Sequence, residues 1–403
     1  MKIGIAGPAT LEMLAHRVDG GAQLPIGRPF APMASWIEAL LVRGHEVALF
    51  TLSPEFNEPR TFRGEQLTIH IGRSRSRHRA RDFFALERSD LGRAMTHDRC
   101  DILHAHWTDE FALAALEVGL PTLVTAHDQP LNVLRHHLMP YWIVRTAMSW
   151  QVVRRATFMT AVSDDVADHL RRVFRYRLSL TVIGNAVADS VFRLGRPGMR
   201  KANRPVTFAT VLSVWSELKN NKGALQAFHK LREITPGVRL IMFGDQQGAG
   251  QEAETWARAR GLAKDVEFAG MLPYDVLLSR LATDVDVLLH PSLVEAHSMA
   301  VTEGLALGLP VIAGTRTGGM KYLLEDGQAG VLIDVRSNQA MVDAMFRLAE
   351  DADLRARLGQ AARGSSTRRF STDHVMTAYE REYEQVIANW PSSPQNGSAA
   401  GHS

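Results

Sequence analysis

Cysteine is nearly absent from this 403-residue sequence: Cys100 stands alone, which excludes an intramolecular disulfide and any Cys-rich metal site. No apolar run approaches the roughly 20 residues that a membrane span requires. The start, Met1-Lys-Ile-Gly-Ile-Ala6, reads as a strand rather than a signal peptide. Net charge is small as well, +3, but unevenly distributed, since Arg73, Arg75, Arg77, Arg79 and Arg81 alternate through one short segment. No aromatics interleave with these arginines and no nucleic-acid module is visible, which argues against a nucleic-acid partner. Two readings of the segment stay open: a solvated loop, or contact with anionic lipid or an acidic partner. The expected location is cytoplasmic, or membrane-peripheral if the arginines meet a bilayer.

Apolar strand-like runs recur with helical patterns between them, the signature of parallel α/β architecture, and the length calls for two domains. The first series is Ile3–Ala6, Val47–Thr51, Leu67–Ile71, Ile102–His106, Thr122–Ala126, Phe158–Val162 and Leu180–Ile183. A Gly-, Pro- and charge-rich break follows. The second series is Val206–Leu212, Arg239–Phe243, Val266–Ala269, Val285–His290, Pro310–Ala313 and Gly330–Ile333. The expected layout is therefore a domain over 1–190, a linker over 191–205, a second domain over 206–370, a terminal helix over 371–390 and a disordered tail over 391–403.

The strongest local signal is Glu295-Ala-His-Ser-Met-Ala-Val-Thr-Glu303. It joins a strand that ends near His290 to a helix predicted over Met299 to Leu307 and closed by Gly308 and Pro310. Free N–H groups and the positive dipole end at Ala296, His297, Ser298 and Met299 suit an anion such as a diphosphate. Carboxylates repel phosphate, so Glu295 and Glu303 are assigned to hydroxyl groups: a sugar ring for one, a ribose for the other.

Ligands of open parallel sheets gather at the carboxyl ends of strands. Ser292, Thr315, Thr317, Gly318, Gly319, His104, His106, His127 and Asp128 all follow or end strands. Lys219, between a strand and a helix, is the expected phosphate ligand, with Lys222 as an alternative. A fixed ammonium there would stabilise a departing diphosphate without metal or cofactor. Gly20-Gly21, ahead of the helix pattern Ala31–Arg43, permits a close approach of backbone to ligand. Asp284 and Asp286 resemble a metal pair but lie at the wrong strand end, and His136-His137 lacks a spaced carboxylate. Gly4-Ile-Ala-Gly-Pro8 lacks the third spaced glycine of a dinucleotide fingerprint.

These residues together resemble the retaining GT-B glycosyltransferases of family four, the glycosyl transferases of group one. The resemblance spans nearly the whole chain. It rests on His290-Pro-Ser-Leu-Val-Glu295, on Glu303-Gly-Leu-Ala-Leu-Gly-Leu-Pro-Val-Ile312, on Gly318-Gly319 and on Glu325-Asp-Gly-Gln-Ala-Gly-Val-Leu332. Arg43-Gly-His-Glu-Val47, Thr125-Ala-His-Asp128, Ala161-Val-Ser163 and Val182-Ile-Gly-Asn185 add to it. It implies two Rossmann-like domains facing across a cleft, with a C-terminal helix crossing back to the first. It implies a nucleotide diphosphate sugar as donor, UDP favoured over GDP, and a small-molecule, saccharide or lipid-linked hydroxyl acceptor. It also places Glu303 at ribose, Glu295 at sugar hydroxyls, Lys219 at phosphate, His127 near the transferred sugar and Gly20-Gly21 near phosphate and acceptor. Trp107 and Arg135-His136-His137 are further candidates for the acceptor side.

Three departures accompany the resemblance. Ala296-His297-Ser298 replaces a common Gly-Phe-Gly, Val214 replaces a basic residue, and Tyr322 replaces a glutamate. An epimerase or hydrolase on the same fold, or a binding protein without catalysis, are the competing readings; the first needs no acceptor and the last forms no product.

Overall fold

The computed structural model describes residues 1–26, 30–136, 139–195 and 204–391. Among these residues, fourteen strands form two sheets. The first contains β1 (Lys2–Ala6), β2 (Glu46–Ser53), β3 (Arg60–Arg63), β4 (Leu67–Arg73), β5 (Ile102–His106), β6 (Thr122–Ala126), β7 (Phe158–Ala161) and β8 (Leu180–Val182), in the order β3-β4-β2-β1-β5-β6-β7-β8. The second contains β9 (Thr207–Val214), β10 (Arg239–Asp245), β11 (Val266–Gly270), β12 (Val287–His290), β13 (Val311–Gly314) and β14 (Val331–Ile333), in the order β11-β10-β9-β12-β13-β14. Parallel pairing occurs in both sheets, for example Ile3 opposite Val47 and Leu288 opposite Val311. These are two α/β, Rossmann-like sheets. Each strand expected from the sequence is present, with ends shifted by up to two residues. The addition is β3, antiparallel to β4; its Arg60-Thr-Phe-Arg63 carries one buried residue, too little apolar alternation to announce a strand.

Central strands are buried on both faces, which is why they read as continuous apolar runs. Around the second sheet the apolar side chains divide into two cores. One holds Ala209, Leu288, Val301, Leu305 and Phe370; the other holds Phe208, Phe228, Leu240, Val287 and Ile312. Alternate residues of β9 and β12 thus serve opposite faces.

The chain divides into two compact units, one of Met1–Thr125, Met139–Met159 and the chain from Thr377 onward, the other of Ala126–Leu138 and Thr160–Met376. In the first, the helix Thr372–Asn389 contributes Tyr379 and Tyr383, both buried. The Tyr379 ring lies 4.3 Å from Trp36, and the Tyr383 hydroxyl lies 2.8 Å from Nδ1 of His104. Glu380 of that helix receives Arg43 and His45, each at 3.0 Å. The Arg43-Gly-His45 motif therefore anchors the terminal helix. Within the expected linker, residues 196–203 lie outside the described residues, as do residues 392–403 of the expected tail. Among the described residues no helix is long and apolar enough to cross a membrane.

Candidate functional site

In the second unit, β9 ends at Val214 and the chain turns through Trp215 to Asn220 into the helix Asn221–Ile234. That turn is fixed from inside. The buried Asn221 accepts from the Ser216 N–H at 3.1 Å and donates to Gln247 at 3.0 Å, while Gln247 donates to the Leu212 carbonyl at 2.9 Å. Asn220 takes a left-handed φ of 53°, and Gly223 leaves room for its side chain, since a Cβ there would lie 2.3 Å from Asn220 Oδ1. The Leu293 N–H donates to the Leu218 carbonyl at 2.8 Å, tying this turn to the loop after β12. Lys219 is thereby delivered to that loop.

Nζ of Lys219 lies 2.5 Å from Oε1 of Glu295, and Nε2 of His290 lies 3.3 Å from the same oxygen. Burial opposes ionisation of Glu295, but His290 and Lys219 outweigh it and hold the carboxyl at about 2. Glu295 is thus a fixed anion beside the start of the helix Met299–Ala306. Ser298 is the N-cap of this helix, accepting from the Val301 N–H at 3.4 Å.

The loop between Glu295 and Ser298 is held from three sides. Gly319 donates its N–H to the Glu295 carbonyl at 3.1 Å, the Ser163 hydroxyl donates to the Ala296 carbonyl at 2.8 Å, and the Asn185 N–H donates to Nε2 of His297 at 3.3 Å. The glycine pair makes this approach possible. A Cβ on Gly318 would lie 1.8 Å from the Glu295 carbonyl oxygen, and one on Gly319 would lie 2.1 Å from that of Ala296. Thr317 donates to the Ser292 carbonyl at 2.8 Å, joining the loops after β12 and β13. Gly318 and Gly319 are therefore required by the loop itself, whatever a ligand does there.

Of the residues that depart from the family pattern, Ser298 is spent on the cap. His297 is spent on Asn185 and stands edge-on to Phe370, at 5.8 Å. Burial, with Arg369 adding to it, lowers His297 to about 3. Tyr322 carries the Arg369 guanidinium over its ring at 4.3 Å. Val214 is exposed at the end of β9. His127, also buried, is lowered to about 3 by burial and by His297, so its imidazole is neutral.

Glu303 lies one turn into the helix and is 5% exposed. Burial raises its carboxyl to about 7, against the opposing pull of Tyr274, whose hydroxyl donates to Oε1 at 2.6 Å. Tyr274 opens the helix Tyr274–Asp284 that follows β11.

The remaining candidates have turns or partners of their own. Gly20 and Gly21 belong to the first unit; Gly20 has a φ of 69°, and a Cβ on Gly21 would lie 1.9 Å from the Ala15 carbonyl oxygen, so a local turn requires both. His104 and His106 are buried beside Trp36. Lys222 pairs with Glu217 at 2.5 Å. Asp284 pairs with Arg280 and Asp286 with Arg204. Thr315 donates to the Ile333 carbonyl. Trp107 packs against Phe30, and His137 lies outside the described residues. In the arginine segment, Arg73 pairs with Asp90, Arg75 with Asp82 and Glu87, and Arg79 lies over the rings of Phe84 and Tyr141. Three of the segment's five arginines are therefore engaged by neighbouring side chains.

The site also contains residues that sequence reasoning passed over: His290, Tyr274, Asn221, Gln247, Asn185 and Ser163. His290, Asn185 and Ser163 stood inside quoted motifs with no role attached. Nothing in the local sequence marks Tyr274 or Gln247, whose partners lie 29 and 35 residues away.

Two families match successive parts of the chain. Residues 33–191 match the family described as Glycosyltransferase Family 4, and residues 200–365 match the one described as Glycosyl transferases group 1. A D-inositol 3-phosphate glycosyltransferase from Corynebacterium urealyticum is 29% identical over 203 residues, 48% of this chain and 46% of the relative, so the match spans about half the length of that relative. An N-acetyl-alpha-D-glucosaminyl L-malate synthase from Bacillus anthracis is 22% identical over 314 residues, 74% of this chain and 78% of the relative. Among solved structures, Anabaena HepE in complex with UDP superposes with a TM-score of 0.69 at 16% identity, covering 96% of this chain and all of that one.

Proposed function

We propose that this chain, which belongs to the family-four glycosyltransferases of the GT-B type, moves a sugar from a nucleoside diphosphate, UDP in preference to GDP, to a hydroxyl acceptor. The observation that carries the reading is the contact of Lys219 with Glu295 at the carboxyl edges of two paired strands, β9 and β12, beside a helix N-terminus. Lys219 and the first N–H groups of that helix supply positive charge for a diphosphate. Glu295 supplies an ionised acceptor for sugar hydroxyls, and Glu303 a buried carboxyl for the ribose hydroxyls. His127, held neutral, hydrogen-bonds the transferred sugar without carrying charge.

In the proposed reaction the bond from the anomeric carbon to the diphosphate oxygen breaks and its electron pair stays on phosphate. The acceptor oxygen bonds to the anomeric carbon on the same face, with retention, and its proton passes to the departing phosphate oxygen. Lys219 stabilises that oxygen more as charge accumulates, so its contribution falls on the transition state. The step as written uses no metal. The name of the UDP-bound neighbour supports the choice of UDP, and the names of the two relatives, a D-inositol 3-phosphate glycosyltransferase and an N-acetyl-alpha-D-glucosaminyl L-malate synthase, support a small hydroxylated acceptor.

A thermal-shift series with UDP, GDP and their sugars tests this reading, because a ligand of the folded state raises its melting temperature. UDP and UDP-sugars should raise it in the wild type and fail to do so in Lys219→Ala. No shift with either nucleotide would overturn the reading.

A further inference from the structure

The assignment of Glu303 to ribose is part of the proposed function, and the inference here rests on it. Glu303 is buried, and its Oε1 accepts from the Tyr274 hydroxyl at 2.6 Å. Among the described residues no hydrogen bond reaches its Oε2, and Tyr274 is the only ionisable neighbour that acts on the carboxyl. Tyr274 comes from another element, the start of the helix after β11, on the same carboxyl edge of the sheet as Lys219 and Glu295. A carboxylate on a flexible side chain can rotate and share both oxygens with water. One pinned by a phenol presents its second oxygen in a fixed direction.

We propose that Tyr274 is a positioning residue that pins one oxygen of Glu303 so that the other meets the ribose diol, and that this pinning is what makes the site choose ribonucleotides over deoxyribonucleotides. Burial favours the neutral acid, which would turn an acceptor of hydroxyl hydrogens into a donor. The Tyr274 hydrogen bond opposes this.

Calorimetric titration of the full-length chain with UDP, 2′-deoxy-UDP and 3′-deoxy-UDP tests the assignment in the wild type, Tyr274→Phe and Glu303→Gln. The Tyr274→Phe change removes one oxygen from a ring that is 44% exposed, so the fold should be kept. In the wild type at least one deoxy analogue should bind about 10-fold more weakly than UDP, the size of one hydrogen bond to a charged group. In Tyr274→Phe UDP should still bind, with that ratio reduced at least 3-fold. An unchanged ratio in Tyr274→Phe, together with its loss in Glu303→Gln, would overturn this inference and leave the ribose assignment standing. A wild type that discriminates neither analogue would overturn both.

Discussion

Nζ of Lys219 and Oε1 of Glu295 stand 2.5 Å apart, and the second contact to that oxygen comes from a histidine, His290, that is itself buried. The groups assigned to phosphate and to sugar are thus one ion pair. Lys219→Ala leaves a buried carboxylate with His290 alone, which should cost about 3 kcal/mol of stability. Adding Glu295→Gln to that variant should recover part of the loss, because the stranded charge is gone. Urea unfolding of both single variants and the double variant measures the coupling.

Gly319→Ala places a methyl group 2.1 Å from the Ala296 carbonyl oxygen, where only movement of the loop can relieve the clash. A shift of about 1 Å in Glu295 should make the enzyme less efficient, lowering kcat/KM by roughly two orders of magnitude. The second sheet would be untouched, so far-UV circular dichroism should match the wild type. Steady-state kinetics together with that spectrum checks the expectation.

His297→Phe removes the acceptor of the Asn185 N–H and leaves it unsatisfied in the interior. The expected cost is about 1 to 3 kcal/mol, measured by urea unfolding. Ser298→Ala should cost about 1 kcal/mol through the lost cap.

Glu303, raised by burial to about 7 from an ordinary value of 4.5, gives a pH dependence of definite sign. The folded chain retains this proton after the unfolded chain has released it. The resulting stability is complete below about pH 4.5 and is lost as pH rises to about 7, up to about 3 kcal/mol. Glu303→Gln should remove that decline. Melting temperatures of the two proteins from pH 4.5 to 8 should therefore converge at low pH and separate at high pH, the variant being the more stable.

The alternation of the sheets was legible because strands covered on both faces must be apolar throughout, as Val287–His290 and Val311–Gly314 show. The Glu295-to-Glu303 segment was legible because a helix start, its cap and its acids are local. The partners that fix it were not. His297 resembles a ligand residue in sequence, and only the fold shows its ring turned to Asn185, 112 residues away. Gly318 and Gly319 stand in the sequence as two residues after a strand, and only the fold shows the carbonyls of Glu295 and Ala296 packed against them. The arginine run left a solvated loop and a charged contact both open, since its alternation alone does not show that Asp90 receives Arg73 and that Asp82 and Glu87 receive Arg75.

Sugar transfer through the Lys219–Glu295 pair is tested most directly by turnover of a UDP-sugar with an accepted hydroxyl compound. The wild type, Glu295→Gln and Lys219→Ala are compared, and the anomeric configuration of the product is read by NMR. The product should retain the donor's configuration, and turnover should fall by about two orders of magnitude or more in each variant as the fixed charges are removed. Undiminished turnover in both variants, or an inverted product, would contradict this mechanism.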